Sequence, residues 1–368
     1  MTFSKRLMSL DVLRGLTIVL MIIVNNPGSW SHVYAPLRHA AWNGCTPTDL
    51  VFPFFLFIVG TAMWYSFKKF DHQLTKELSL KIIRRTVLIF ALGLFLNGFP
   101  FIDFHFSSFR LMGVLQRIAL GYGIASFIVL LSPIRWTYII SALLLTAYWS
   151  ILWLFGGEQP FSLEGNASLR FDLFVLGEGH LYRGYGIPFD PEGLLSTLPA
   201  VVNVLFGYFA GRLIDRETNK QAAVYKLIGF GAAAVILALI WNPFFPINKP
   251  IWSGSYVLYT SGLAGIFLAL LIWVTDIKGQ QKWAQPFLVY GMNPLFIFVL
   301  AGMWARMLSL VQVASLSGTK SLKAFIYQDL LVPWAGELNG SLLFALHLAV
   351  LFWIVGFILY RKKIFIKI

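Results

Sequence analysis

RHAAWNGCTPTDLVFPFFLFIVG, from Arg38 to Gly60, sets a cluster of polar groups directly against an apolar run that continues to Phe67. From Thr48 to Phe67 the only charge is Asp49, and a helix of that length crosses roughly 30 Å of hydrocarbon. Ahead of and inside its first turn stand an imidazole (His39), an indole (Trp42), an amide (Asn43) and a carboxylate (Asp49). Ionisable groups at the mouth of a membrane helix are costly unless they are paired or working. Two readings are open: an interfacial loop whose Trp and His anchor the helix at headgroup level, or a polar site at the membrane boundary.

The same apolar pattern recurs from end to end. The chain is 58% hydrophobic and 12% charged, with mean hydropathy +0.73, far below the roughly 25% charged usage of soluble domains. Runs long enough to span fall at roughly 12–30, 48–67, 84–101, 111–131, 136–155, 194–213, 226–244, 254–274, 286–306 and 341–360. The expected fold is all-α, a polytopic transmembrane helical bundle of about ten transmembrane helices, forming one domain over 1–368. The first run is long and lacks a small-residue cleavage site, so no cleavable signal peptide is expected.

Basic residues set the orientation. With both termini cytoplasmic, twenty of the 29 Lys and Arg, among them Lys5, Arg6, Arg14, Lys68, Lys69, Lys81, Arg84, Arg85, Arg361 and Lys367, lie on the inner side, as the positive-inside rule requires. The net charge of +13 is therefore a topology signal, and no basic cluster is interleaved with aromatics in the manner of a nucleic-acid surface. The outer loops carry Asp103, Glu158, Glu164, Asp172, Glu178, Asp190, Glu192, Asp329 and Glu337 with fewer bases. The longest of them, at about 156–193, has the Gly, Pro, Tyr and Phe content of a packed lid. An acid-rich outer face suits a cationic substrate such as an amino sugar and equally suits ordinary solubility.

Cys45 is the only cysteine, so no intramolecular disulfide is expected, and a semi-buried thiol explains it better than a nucleophile does. The six histidines show no paired metal-ligand spacing, and no phosphate loop is present. No metal and no nucleotide hydrolysis are expected.

Several polar groups fall within spans. Asp11 and Arg14 share one face at the start of the first; Asn25 and Asn26 interrupt its far end, with Asn25 about 16 Å along the axis from Arg14. Lys81, Arg84 and Arg85 open the third, where snorkelling to lipid is the simple account. Gln116 and Arg117 lie inside the fourth, and a lone intramembrane Arg resists that account. Asn293-Pro294 breaks the ninth.

RLMSLDVLRGLTIVLMIIVNN (Arg6–Asn26) resembles the opening of the heparan-α-glucosaminide N-acetyltransferase family, in its bacterial form without the lumenal domain, and the His39 run is that family's most specific stretch. LQRIALGYGIA (Leu115–Ala125), FDPEGLLSTLPAVVNVLFGYFAG (Phe189–Gly211), INKPIWSGSYVLYTSG (Ile247–Gly262), YGMNPLFIF (Tyr290–Phe298) and the terminal YRKKIFIKI are similar too, in the family's order. The families that O-acylate surface glycans share a D-x-x-R-G helix with a histidine eleven residues after the arginine; here that position is Asn25.

The resemblance implies acetyl transfer from cytosolic acetyl-CoA to the amine of a glucosamine-type sugar on the extracytoplasmic side. His39 matches the proposed catalytic histidine and Asn25 the asparagine near it. An imidazole titrating near neutrality can take the amine's proton, Asn25 or Asn43 can donate to the thioester oxyanion, and Asp49 is a candidate to orient the ring or a carboxylate settled by the helix dipole. Arg14, Lys81, Arg84 and Arg85, with Arg117, are the candidate acetyl-CoA ligands. Trp42, Asn43, Asp190, Glu192, Asn248, Lys249 and Trp252 are the candidate acceptor ligands. The resemblance also implies a multi-pass protein of the bacterial cytoplasmic (inner) membrane, surrounded by lipid, with a homodimer in keeping with the family. An O-acyltransferase of a surface glycan and an amino-sugar transporter or flippase stand as alternatives.

Overall fold

Uninterrupted apolar runs become helices here because hydrocarbon offers no partner for an open backbone, and only a helix pairs every N–H and C=O within one segment. The computed structural model describes residues 7–102, 104–315 and 318–366; Lys5, Arg6, Asp103 and Lys367 lie outside the described residues. In chain order the helices are α1 (Met8–Asn25), α2 (Pro47–Phe67), α3 (Lys76–Gly98), α4 (Val114–Leu131), α5 (Ile134–Phe155), α6 (Ala167–Leu176), α7 (Thr197–Arg216), α8 (Lys220–Trp241), α9 (Gly254–Leu271), α10 (Gln285–Met292) and α11 (Pro294–Leu310). A short antiparallel pair, β1 (Gln312–Ser315) and β2 (Gly318–Ser321), precedes α12 (Leu322–Ala324), a π-helical stretch Phe325–Leu331, and α13 (Val332–Arg361).

Among the described residues eight helices are long and apolar enough to cross a membrane, and α10 with α11, bent by 73° at Asn293, has the length and composition of one broken span or of a re-entrant loop. α3 has the length, with 23 residues, and carries Lys76, Glu77, Lys81, Arg84 and Arg85 in its first three turns. Eight of the ten expected spans are met in this way, or nine if the bent pair is one span, with α3 lying where the third was expected, and the protein is a polytopic α-helical membrane protein. Hydroxyls within spans turn back on their own helix: Thr17 donates to Leu13 O, Thr61 to Phe57 O and Thr260 to Tyr256 O at 2.8 to 3.0 Å, which removes the cost of a bare polar group in lipid. Large apolar side chains such as Phe230, Leu237 and Ile240 on α8 stay exposed, as a lipid-facing stripe must.

The chain divides into two compact units. One comprises residues up to His39, Thr46–Val51, and the chain from Gly279 on. In it α1 packs on α10 and α13, and backbone approach is so close that a Cβ on Gly15 would stand 1.8 Å from Phe287 O. The other comprises Ala40–Cys45 and Phe52–Lys278. There α3 packs on α4, α4 on α7 and α8 on α9, and α2 meets α7 where Gly60 faces Val204 O and Gly207 faces Phe57 O. Small residues at such crossings let helix backbones touch where no hydrophobic force drives them together. The stretch 156–193 holds α6, started by Asn166, whose side chain accepts from Leu169 N.

Candidate active site

The first unit holds the histidine. α1 ends at Asn25, whose side chain is exposed, while Asn26 is buried and donates back to Ile22 O at 2.8 Å. The chain then runs through a single 3₁₀ turn, Ala35–Leu37, to Arg38, whose guanidinium donates to Val33 O. His39 Nδ1 lies 2.6 Å from Asp49 Oδ1. The imidazole is 44% exposed and the carboxylate 1%. Thr46 N donates to Asp49 Oδ2 at 3.0 Å, and the Thr46 hydroxyl lies 2.7 Å from Arg38 O. Asp49 sits in the first turn of α2, where the helix dipole favours an anion. A carboxylate only accepts, so the 2.6 Å contact is a hydrogen bond that His39 Nδ1–H donates to Asp49. A base-and-orienter pair in an acyl-transfer site has this same arrangement of imidazole and carboxylate.

The second unit holds the candidate acceptor ligands. The segment following His39 is pinned at three points: Trp42 Nε1 donates to Phe161 O at 2.8 Å, Asn248 Nδ2 to Asn43 Oδ1 at 3.0 Å, and Gly44 N to Ile247 O at 2.7 Å. Asn248 also shapes its own turn, accepting from Ile251 N. Trp252, fully buried, takes a left-handed φ of 52°, a conformation that costs a non-glycine residue on the order of 1 kcal/mol or more and marks an over-determined place. Its indole donates to Asn203 Oδ1 at 2.9 Å, and Asn203 in turn donates to Ser261. Lys249 is half-buried on the same turn.

Asp190 and Glu192 do not stand open. Arg110 donates through Nε to Asp190 Oδ2 at 2.8 Å and through Nη2 to Asp190 Oδ1 and Glu192 Oε2, both at 2.7 Å. Its guanidinium lies 4.6 Å from the Tyr182 ring centre. Burial alone would make Arg110 easier to deprotonate, but its two carboxylates outweigh this and hold it firmly charged. Arg117, fully buried, donates to Gly193 O at 3.0 Å and to the Ser196 hydroxyl, and covers the Trp252 ring at 4.7 Å. Its Nε and Nη1 meet no partner among the described residues. Nearby charge includes Asp172, which accepts from Leu194 N and Leu195 N. Burial pushes the Asp172 carboxyl up, the Leu195 N–H and Arg117 pull it back, and the result is about 7.

Of the candidate acetyl-CoA ligands, Arg14 belongs to the first unit, where Nη1 donates to Asp11 Oδ1 at 2.8 Å and to Gly291 O at 3.4 Å. Lys81, Arg84, Arg85 and Arg117 belong to the second. Lys81 and Arg84 are exposed, Lys81 with its ammonium 5.6 Å from the Phe70 ring. Arg85 reaches along α3 to lie 4.9 Å from the Tyr122 ring on α4, and its Nε meets no partner among the described residues. Exposed cations of this kind fit a polyphosphate. Arg117, with no exposed atoms and with Gly193 and Ser196 as its partners, stands with the DPEG loop instead. No cluster of three metal-ligating side chains occurs among the described residues.

Sequence reasoning missed Arg110 as the partner of both DPEG acids. Its one signal was an arginine in an outer loop otherwise poor in bases. Asn203, an amide inside a span, was the missed signal for the Trp252 turn.

The family described as heparan-alpha-glucosaminide N-acetyltransferase, catalytic, matches residues 6–243 of the chain. Heparan-alpha-glucosaminide N-acetyltransferase of Mus musculus is 29% identical over 355 residues, which cover 80% of this chain and 53% of the mouse protein. The Homo sapiens protein of the same name is 28% identical over 422 residues, covering 99% of this chain and 60% of its own. The chain thus spans a little over half the length of the curated relatives it matches.

Proposed function

The chain belongs to the heparan-alpha-glucosaminide N-acetyltransferase family, and on that premise we propose that it is a transmembrane N-acetyltransferase. It takes acetyl from acetyl-CoA at the cytoplasmic face and delivers it to the amine of a glucosamine-type sugar at the extracytoplasmic face of a bacterial inner membrane. The observation that carries this is the His39–Asp49 pair: a half-exposed imidazole 2.6 Å from a buried carboxylate.

Acetyl-CoA supplies an activated carbonyl on a long arm whose nucleotide end stays in water. Lys81, Arg84 and Arg85 hold that charged end, Arg84 as an exposed guanidinium and Arg85 one step deeper in the bundle. His39 Nε2 accepts the proton of the attacking amine, and Asp49 stabilises the imidazolium that results. The amine nitrogen bonds to the carbonyl carbon, the carbon–sulfur bond breaks, and the proton on His39 passes to the departing thiolate. Asn25, exposed at the end of α1, donates to the developing oxyanion. Direct attack needs no acyl-enzyme, and we assign it in preference to an acetyl-histidine. Trp42, Asn43 and the turn carrying Asn248, Lys249 and Trp252 shape the acceptor side, with Asp190 and Glu192 holding Arg110.

Purified protein in detergent should release CoA thiol from acetyl-CoA only when an amino sugar is present. Release without the sugar points to an acetyl-histidine or to hydrolysis, and no release under any condition, with sugar transport intact, makes the protein a carrier. Label trapped on His39 from acetyl-CoA alone would replace direct transfer by a two-step route.

A further inference from the structure

Between α6 and α7 the chain folds back on itself. Phe189 N donates to Tyr182 O at 2.9 Å and Gly186 N to Arg183 O at 3.2 Å, with Gly186 at a φ of 82°. The turn brings four aromatic rings together. Tyr185 stands edge-on to Trp42 at 6.1 Å, to Phe189 at 5.4 Å and to Tyr182 at 6.3 Å, and Trp42 leans on Phe189 at 5.8 Å. Phe189 is buried beneath, Trp42 and Tyr185 are half-buried, and Tyr182 is 39% exposed. Phe161 O takes the Trp42 indole N–H, so this tryptophan does not use its N–H as a headgroup anchor would.

Charge decides what such rings are for. An aromatic cage selects a cation when its rings are open and its surroundings are negative. Here the Arg110 guanidinium already covers one face of Tyr182, and the two nearby carboxylates both bind Arg110, while the ring stays 39% exposed. An ammonium arriving at the Tyr182 ring meets the Arg110 cation already set against it. A pyranose ring meets something better, because one of its faces presents polarised C–H groups that suit the electron-rich face of an aromatic ring.

We propose that the Tyr182–Phe189 hairpin together with Trp42 is a sugar platform, which holds a pyranose ring of the acceptor by its C–H face and selects for the ring and not for the amine's charge. Tyr182 and Tyr185 are then specificity-determining residues. The inference deepens the acetyl-transfer reading and rests on it for the kinetic arm alone.

Two measurements on the full-length protein in detergent test it. In saturation-transfer NMR without acetyl-CoA, the probe methyl N-acetyl-β-glucosaminide should receive magnetisation at its ring protons from wild type and from Tyr185→Phe, and lose most of it with Tyr185→Ala and Tyr182→Leu. In the CoA-release assay, the preference in kcat/KM for glucosamine over 2-aminoethanol should fall about tenfold in Tyr185→Ala and persist in Tyr185→Phe, the size expected for one lost aromatic contact. Transfer and preference equal to wild type in both Tyr185→Ala and Tyr182→Leu overturn the platform while leaving acetyl transfer standing. A wild type that acetylates no amine overturns acetyl transfer, and the NMR measurement still decides the platform. Should Tyr185→Ala fail to fold, Tyr182→Leu, at an exposed position, carries both measurements.

Discussion

Asp49 is the ground for proposing that His39 does more than sit at a membrane surface. An anchoring imidazole has no need of a carboxylate that is 1% exposed and itself held by Thr46 N. Burying that carboxylate is worth its desolvation only where its charge is used. His39→Ala should therefore abolish acetyl transfer while acetyl-CoA still binds, and activity within a few-fold of wild type in folded protein removes His39 from the chemistry. Asp49→Asn should lower kcat by roughly two to four orders of magnitude, because the amide can hold the wrong tautomer; an unchanged kcat returns Asp49 to a helix-capping role. The basic residues divide in the same way. Replacing Arg84 and Arg85 by Ala should raise the acetyl-CoA KM with little change in kcat at saturation, as loss of uniform binding does. Equal KM values make them lipid anchors. Asp190 is a different case, since both of its oxygens serve Arg110. Removing one member of a buried pair costs about 3–5 kcal/mol, so Asp190→Ala should show first as a large fall in Tm.

At the scale of elements, the helices follow from the sequence more fully than their partners do. Ten apolar runs, the break at Asn293-Pro294 and the turn-back of α1 at Asn25 and Asn26 are written in local composition. Asp49, ten residues from His39, stood out as a candidate orienter because loop and helix start were contiguous. The Arg110–Asp190 pairing spans 80 residues, and nothing local records it; the DPEG acids looked available because an ion pair is a property of packing. The partners of Arg117, Gly193 and Ser196, lie 76 and 79 residues away and are equally unrecorded in the local sequence. Packing also supplies a pH dependence. Asp172 has its carboxyl pushed up to about 7, against an ordinary value near ~3.9, so the native state holds this proton more tightly than the unfolded chain. Its contribution to stability is fully present below about 4 and is lost as pH rises through about 7. Asp172→Asn keeps the Oδ1 acceptor for Leu194 N and Leu195 N and should flatten the fall of Tm between those values. A slope equal to wild type assigns it to other groups. Where α2 crosses α7, Gly207→Val would drive a side chain into Phe57 O, which lies 1.9 Å from even a Cβ, and loss of folded protein is the expected result.

For the whole molecule, the decisive property is sidedness. Twenty of 29 basic residues fall on one expected face, and His39 is expected on the opposite one. Charged nucleotide and polar sugar cannot trade places through hydrocarbon, whereas a thioester on an extended arm can be reached from the opposite side. The proposed transfer therefore keeps donor and acceptor in separate compartments and joins them only at the reacting atoms. Reconstituted vesicles make this measurable: acetyl-CoA is supplied at the cytoplasmic face alone and a membrane-impermeant amino sugar at the other. Acetylated sugar should accumulate in the compartment that held the sugar, with CoA thiol appearing in the compartment that held the donor. His39→Ala vesicles supply the background. Product that forms only when both substrates share the cytoplasmic face would mean that transfer does not cross the membrane, that His39 opens inward, and that the basic residues at the start of α3 and the acid-rich loops have been given opposite sides without cause.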